Sequence, residues 1–243
     1  MKLPTIKGVI KRRILLNYRI DPDIVQEVLP HNFRPKLVNG YAIAGICLIR
    51  LEEIRPKILP AIVGISSENS AHRIAVEWDN KDGLQGEGVF VPRRDTNSRI
   101  NALTGGRIFS GVHHHSKFTI ADQSGEISVC VNSKYNKSPL LDLKVRETHT
   151  LPEKSVFNSL EESSKFFEAG CIGYSPRPNS CTLDGLLLEV NDWQVTPLSI
   201  DYAKSSYFDD RNLFPPNSIQ LDHALLMRDI PHLWHSVQNM TAQ

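Results

Sequence analysis

Short apolar runs and alternating polar and apolar positions recur along this chain, and they predict strands more often than helices. Ile14–Ile20 and Tyr41–Leu51 are rich in apolar and β-forming residues, which is typical of strands buried in a core. Arg73–Trp78 alternates with period two, and the turn cluster Asp79–Gly83 separates it from a second run, Gly86–Val91. These two runs predict a β-hairpin, and the whole pattern favours a mostly β protein of the α+β type.

The rest of the pattern adds a second hairpin, two later strands and three short helices. The hairpin joins Ser116–Ala121 to Glu126–Asn132. The predicted helices are Asp23–Leu29 behind Asp21 and Pro22, Asp95–Leu103 before Gly105 and Gly106, and Leu160–Ala169 before Gly170. The later strands are Leu183–Val190 and Gln194–Ser199, and Tyr174–Ser180 is predicted as a loop. Because no repeat or linker divides residues 1–243, we expect a single domain of antiparallel strands in a closed barrel or sandwich.

Composition and charge narrow the functional classes. The 28 Lys and Arg residues nearly balance 27 Asp and Glu residues, so we expect no nucleic-acid partner. The N-terminus lacks the apolar core of a signal peptide, and no apolar run is long enough to cross a bilayer. We therefore expect a cytoplasmic protein without a membrane partner. Its four widely spaced cysteines fit reduced thiols, and a Cys171–Cys181 disulfide is the alternative for a secreted protein.

The most informative segment, Gly105–His115, has the sequence GGRIFSGVHHH. It resembles the active-site segment of acetoacetate decarboxylases, in which Gly-Gly-Arg, three residues, Gly, an aromatic residue and Pro precede two lysines. The lysine positions fall here on His114 and His115. The C-terminal third is similar to an uncharacterised bacterial branch of the same superfamily. Other segments that resemble the family are Tyr18–Pro30, Ser66–Ser70 and Asp95–Arg107.

The resemblance implies an acetoacetate decarboxylase-like closed β-barrel with a small internal pocket, a homo-oligomer and lyase-type chemistry. A Schiff base needs a primary amine, which imidazole cannot supply. An enzyme of this kind would therefore use His114 and His115 as acid and base groups or as oxyanion donors. The resemblance places Glu68 in a turn as a pocket carboxylate, which would act as the complementary base.

The ligand implied by the resemblance is a small oxo- or hydroxy-acid. A cation from the segment Lys11–Arg13 would hold its carboxylate, and the sequence leaves Lys11, Arg12 and Arg13 as candidates. We expect Lys11, Arg13 and His113 to bind the substrate. No cofactor or metal is implied, although His113 and His115 share one strand face and would form a metal site together with Glu68.

Three alternatives remain open. The first is a non-catalytic ligand-binding or sensing module built on the same barrel. The second is a Schiff-base decarboxylase with a displaced lysine, for which Lys117 is the candidate, although a regular strand would turn it away from His114. The third is an Asp222–His223 catalytic dyad, with His232 and His235 spaced as on one helix face. The chain has no G-x-S-x-G motif, which argues against a hydrolase triad.

Overall fold

One hydrogen-bonded sheet contains fourteen strands within residues 4–80, 83–104, 111–134 and 139–242, the part of the chain that the computed structural model describes. The strands are β1 (Ile6–Ile20), β2 (Arg34–Pro35), β3 (Leu37–Val38), β4 (Tyr41–Pro56), β5 (Ile65–Asp79), β6 (Gln85–Thr96), β7 (His113–Gln123), β8 (Glu126–Ser133), β9 (Pro139–Glu147), β10 (Ile172–Pro176), β11 (Thr182–Val190), β12 (Thr196–Ser205), β13 (Ile219–Ser236) and β14 (Met240–Thr241). The helices are α1 (Pro22–Val28), α2 (Arg99–Thr104) and α3 (Leu160–Ala169). The strand order is β14-β11-β10-β6-β7-β8-β9-β12-β13-β1-β4-β5-β2, with β3 on β4 and further pairings of β11 with β13 and of β5 with β6.

The sheet is mixed, and the expectation of antiparallel strands throughout was wrong. β6 pairs in parallel with β7, where Arg94 lies opposite His113, and in parallel with β10, where Val89 lies opposite Gly173. Parallel neighbours need a crossover connection, and the connection from β6 to β7 contains α2. Hairpin signals in a sequence concern consecutive strands, so they gave no indication of these two long-range pairings.

Strand β1 separates two layers of apolar side chains. Ile14 and Leu16 belong to the largest buried cluster, whereas Leu15 between them belongs to a second cluster. This alternation is what a strand buried on both faces requires, because successive side chains point to opposite sides. The second cluster also contains Cys47 of β4 and Phe167 of α3, and the candidate site lies on this side of β1.

Local signals located two of the three helices well. The carboxylate of Asp21 accepts a hydrogen bond from the Asp23 backbone N–H at 3.0 Å, so α1 begins with the predicted cap. Helix α3 has the predicted bounds, Leu160–Ala169. Helix α2 begins later than predicted because the predicted cap residues Asp95 and Thr96 belong to β6. The predicted closing residues Gly105 and Gly106 lie outside the described residues.

Strand β13, the longest in the described sheet, was not predicted. It contains Pro231, which is unusual inside a strand. Polar residues on both sides of the short apolar run Ala224–Met227 also made the strand pattern difficult to recognise in the sequence. His232 and His235 therefore lie on a strand, and the helix face predicted for them was wrong. The predicted loop Tyr174–Ser180 was also wrong in part, because its first three residues complete β10.

Two structural findings concern membrane spans and cysteine pairing. Within the described residues, no helix combines the length and the apolar character needed to cross a bilayer. All four cysteine thiols are unpaired, so the alternative disulfide between Cys171 and Cys181 is not formed.

Candidate functional site

A cavity of about 140 Å³ lies beside β1, β4, β5 and β6 and is also lined by residues of β10, β11 and α3. Much of its wall is apolar, and these side chains include Ile49, Leu51, Ile54, Val89, Val91, Phe167, Leu186, Leu188, Trp193 and Trp234. Its main charged or polar side chains are Arg13, Asn69, Ser70, Arg73, Arg94, Asp95, Asn101 and His113. A mostly apolar cleft with a few converging polar groups is the usual form of a small-molecule site.

Three arginines from three different strands reach this cavity. Arg13 of β1 donates from Nε to the Cys47 sulfur at 3.3 Å, and its guanidinium lies 5.5 Å from the Trp193 ring centroid. Arg94 of β6 donates from Nε and Nη2 to the Ser175 hydroxyl at 3.3 and 3.1 Å. Sulfur, aromatic and hydroxyl groups thus hold the guanidinium groups of Arg13 and Arg94, and none of these groups is a carboxylate.

The third arginine, Arg73 of β5, is the most deeply buried. Its guanidinium lies 4.6 Å from the Phe167 ring centroid, and its Nη2 donates to the Asn17 side-chain oxygen. Its Nε and Nη1 have no hydrogen-bond partner among the described residues. Arginine presents five N–H donors in a fixed fork, so part of the hydrogen-bonding capacity of Arg73 is unused in this structure.

Burial lowers the pKa of both Arg73 and Arg94 to about 10, which leaves the two side chains charged at neutral pH. Among the described residues, neither of them nor Arg13 forms an ion pair. Asp95 also lines the cavity, but Arg93 holds its two oxygens at 3.0 Å each. The cavity therefore has an excess of positive charge.

A chain of buried hydrogen bonds orients Arg73 from behind. Asn17 accepts from Arg73, and its amide nitrogen lies 3.0 Å from His223 Nε2. His223 Nδ1 lies 2.6 Å from an Asp222 oxygen, and the Ser163 hydroxyl lies 2.8 Å from Nε2. Because the Asn17 amide donates, Nε2 accepts and the imidazole proton resides on Nδ1. The side chains of Asp222 and His223 are inaccessible to solvent, so these distances describe a structural network and not an accessible catalytic dyad.

His113 is the histidine of the run that lines the cavity. Its Nδ1 lies 3.3 Å from the Gly111 carbonyl oxygen. Burial and, next, the Arg94 charge lower the pKa of His113 to about 4, so its imidazole is neutral at pH 7. Gly111 has φ +81°, and a Cβ there would approach Ser175 Cβ to 2.7 Å. This position therefore requires glycine, which keeps His113 close to the serine that holds Arg94.

The structure places the other two histidines away from the cavity wall. His114 is exposed, whereas His115 is half-buried with Nε2 3.2 Å from the Asn97 carbonyl oxygen. The predicted alternation is present, since His113 and His115 are more buried than His114. Within the described residues, no three or more metal-ligating side chains lie close enough together to hold a metal ion. His113, His115 and Glu68 therefore do not form the metal site that the sequence offered as an alternative.

Glu68 lies in β5, not in a turn, and it forms a buried ion pair. Its carboxylate is 2.8 Å from Arg12 Nη2 and 3.9 Å from Arg50 Nη1. Burial raises the pKa of Glu68, an effect that outweighs the opposing influence of the two arginines.

Lys11 is exposed and pairs with Asp229 at 2.5 Å. Of the three candidate cations in Lys11–Arg13, the structure therefore brings Arg13 to the cavity.

None of the lysines that the structure describes lines this cavity. Lys117 is exposed on β7. Lys36 borders a smaller neighbouring cavity of about 30 Å³ that shares Arg13 and Arg73, but its ammonium is 2.5 Å from the Glu87 carboxylate. Sequence reasoning missed Arg73 as a cavity residue, and for Arg94 it favoured a solvated cap over the alternative of an anion site at a helix N-terminus. Arg73 opens an alternating strand, where period two suggests exposure, and Arg94 stands in an Arg-Arg-Asp cluster typical of a solvated cap.

Comparison with known proteins places this architecture in the acetoacetate decarboxylase-like class. The acetoacetate decarboxylase of Legionella pneumophila is similar with a TM-score of 0.61 at 13% identity, over 98% of this chain and 88% of that chain. An acetoacetate decarboxylase-like enzyme from Sphingomonas wittichii RW1 is similar with a TM-score of 0.62 at 11% identity, over 99% and 94%. The enduracididine biosynthesis enzyme MppR, solved with pyruvate, gives 0.61 at 11% identity, over 100% and 92%.

The chain itself belongs to the DUF2071 family, described as an uncharacterized conserved protein, whose profile matches residues 9–226. No curated protein matches the chain. At identities of 11–13% the similar structures establish the fold alone, so the chemistry of this site must be argued from its own residues.

Proposed function

We propose that this protein binds a small oxo- or hydroxy-acid in the cavity lined by Arg13, Arg73 and Arg94. One observation carries the proposal: none of these arginines has a carboxylate partner among the described residues. Buried charge without a partner is costly, and a bound carboxylate would compensate it through charge-assisted hydrogen bonds. The pyruvate bound to MppR supports a small acid as the ligand class.

The same proposal includes a closed β-barrel around the cavity. The pairings of β11 with β13 and of β5 with β6 support closure, because they connect strands that are distant in the linear strand order. Closure fixes the strands relative to one another, and that would hold the three arginines in place without a ligand.

Isothermal titration with pyruvate, lactate and malate tests the binding function. We expect saturable binding of at least one acid, and a loss of affinity of at least tenfold in Arg13→Met. Arg211→Met is the matched control, because Arg211 is exposed and outside the cavity, and it should bind as the wild type does. Absence of saturable binding by all three acids would contradict the proposal.

A lyase-type reaction is the second candidate, and His113 favours it. Its neutral imidazole lines the cavity and would take the proton removed from carbon in a bound acid, although a pKa of about 4 makes it a weak base. Incubation of the three acids with wild type and with His113→Asn, followed by NMR, separates the candidates. Turnover that His113→Asn abolishes supports an enzyme, whereas binding without turnover supports a ligand-binding or sensing module.

Borohydride trapping addresses the Schiff-base alternative directly. We expect no mass increase with 2-oxo acids, because no described lysine lines the cavity. An authentic acetoacetate decarboxylase serves as the positive control. A trapped adduct mapped to Lys36 or Lys117 would restore imine chemistry and overturn the assignment of the arginines as the principal ligand groups.

A further inference from the structure

We infer that the natural ligand is a dicarboxylate, an oxo- or hydroxy-acid with two carboxylate groups. The inference rests on the proposed function and specifies its ligand class. It starts from the charge of the cavity. Arg13, Arg73 and Arg94 contribute three positive charges, and the lining carboxylate of Asp95 is already held by Arg93 at 3.0 Å.

The sequence outside the described residues does little to change this balance. Residues 1–3, 81–82, 105–110, 135–138 and 243 contain a single carboxylate side chain, that of Asp82. A monocarboxylate would compensate one of the three arginine charges and leave two without a counter-charge. A dicarboxylate compensates two, which removes most of the cost of keeping cations in a low-dielectric cavity.

Arg73 gives independent support, because it has donors with no partner. It is 4% exposed, it lines the cavity, and its Nε and Nη1 have no hydrogen-bond partner among the described residues. Buried donors are normally satisfied, so unsatisfied ones need an explanation. The Nε and Nη1 donors point in different directions and both nitrogens are covered in this structure, so a carboxylate would satisfy one of them after a small shift of the guanidinium.

The separate anchoring of the arginines and the apolar wall favour an organic diacid over an inorganic dianion such as phosphate. Each guanidinium has a different anchor, since Arg13 contacts Cys47, Arg73 contacts Asn17, and Arg94 contacts Ser175. The wall also contains apolar side chains suited to a carbon chain, including Ile49, Leu51, Val89, Val91, Leu186 and Leu188. The volume of about 140 Å³ is several times what a single water molecule needs, so the cavity has room for a small diacid.

Malate and 2-hydroxybutyrate form a matched pair for the test, because a carboxylate in the first replaces a methyl group in the second. Titration calorimetry of the wild-type protein should show malate binding at least tenfold more tightly. Oxaloacetate and 2-oxobutyrate provide the same comparison for oxo-acids. Inorganic phosphate is the third arm, and we expect it to bind more weakly than malate.

Two variants assign the preference to the cavity. Arg94→Gln and Arg73→Gln each remove a charge, and at least one should reduce the malate preference to about threefold or less. Arg211→Gln should leave it unchanged. Equal affinities within each matched pair would overturn the dicarboxylate and leave the small-acid function intact. Tighter binding of phosphate would overturn the dicarboxylate in favour of a compact dianion, and absence of binding by every acid would overturn both proposals.

Discussion

Arg12 and Arg13 are neighbours in β1, but they contribute to one region in which the charges are paired and one in which positive charge is in excess. Arg12 is buried beside the Glu68 carboxylate at 2.8 Å, and its Nη1 is 3.7 Å from Asp122. Arg13 points to the other side of the strand, where it contacts Cys47 and has no described ion pair. Alternation along the strand therefore separates a paired charge network from a cavity with unpaired cations.

The difference shows which buried charges belong to the architecture. The paired region continues from Asp122 to Arg228 at 2.8 Å, and Arg228 lies 3.3 Å from Glu147. Its positive and negative groups compensate one another, so this region needs no ligand. In the cavity region the compensating charge is missing from the described protein groups. Buried charges normally require a partner, and this asymmetry is the reason to look for the ligand beside Arg13.

The largest effect should come from breaking the paired region at Glu68. Glu68→Gln leaves Arg12 buried with a neutral partner, and removal of one member of a buried pair costs about 3–5 kcal/mol. We expect the lower end of this range, because Asp122 remains 3.7 Å from Arg12 and burial already raises the pKa of Glu68. Urea unfolding should show this loss, whereas ligand affinity should change little in the fraction that remains folded. The control is Glu52→Gln, because the Glu52–Arg50 pair is more exposed and should contribute about 0–1 kcal/mol.

The opposite outcome would reassign Glu68. If Glu68→Gln unfolds like the wild type but loses ligand binding or turnover, the carboxylate acts on the ligand as the resemblance implied. The division of β1 into an architectural face and a ligand face would then be wrong.

The sequence predicted local order better than long-range pairing. Asp21 and Pro22 located the start of α1, and the alternation in Arg73–Trp78 located part of β5. The parallel pairings of β6 depend on residues far apart in the chain, so no local pattern reveals them. Arg13 and His113, which were predicted to bind the substrate, line the cavity, and their role stays a prediction. Arg73 was not predicted, because period two does not tell which face of a strand is buried.

The next largest effect tests the unpaired region by supplying the missing carboxylate. Asn17→Asp keeps an oxygen that accepts from Arg73 and adds a negative charge beside the guanidinium, while its second oxygen replaces the amide donor to His223 Nε2. That contact is kept when His223 takes up a proton, so urea unfolding first checks that the variant is folded. The added negative charge competes with the ligand, so the affinity for malate should fall about tenfold to a hundredfold, which is about 1.4–2.8 kcal/mol. Calorimetry measures the change, and Asn191→Asp at an exposed position is the matched control.

An unchanged affinity in folded Asn17→Asp would show that Arg73 does not hold the ligand. The comparison between the two faces of β1 would then depend on Arg13 and Arg94 alone.

A smaller effect concerns buried histidines, which cost stability when they are protonated. Burial lowers the pKa of His72 to about 4, below the ordinary value of 6.5. The unfolded chain therefore binds more protons between pH 6.5 and 4, and stability is lost as the pH falls through this window. His72→Phe removes that loss and fits the contacts with Tyr207 and Phe208.

Relative to wild type, the stability of His72→Phe should increase by about 1–2 kcal/mol between pH 7.5 and pH 5. Urea unfolding at the two pH values measures the change. His149→Phe at an exposed position should show no such pH dependence. A pH-independent difference would mean that His72 is protonated equally in the folded and unfolded chains.

The smallest effect is expected at the two histidines that occupy the lysine positions. His114 is exposed, and His115 contacts the Asn97 carbonyl oxygen, so neither belongs to the two buried charge regions. The double variant His114→Ala/His115→Ala should change the free energy of unfolding by about 0.5 kcal/mol or less, and malate affinity by less than twofold. A tenfold loss of affinity or turnover would show that these imidazoles reach the ligand, and the ligand region would then extend along β7 beyond His113.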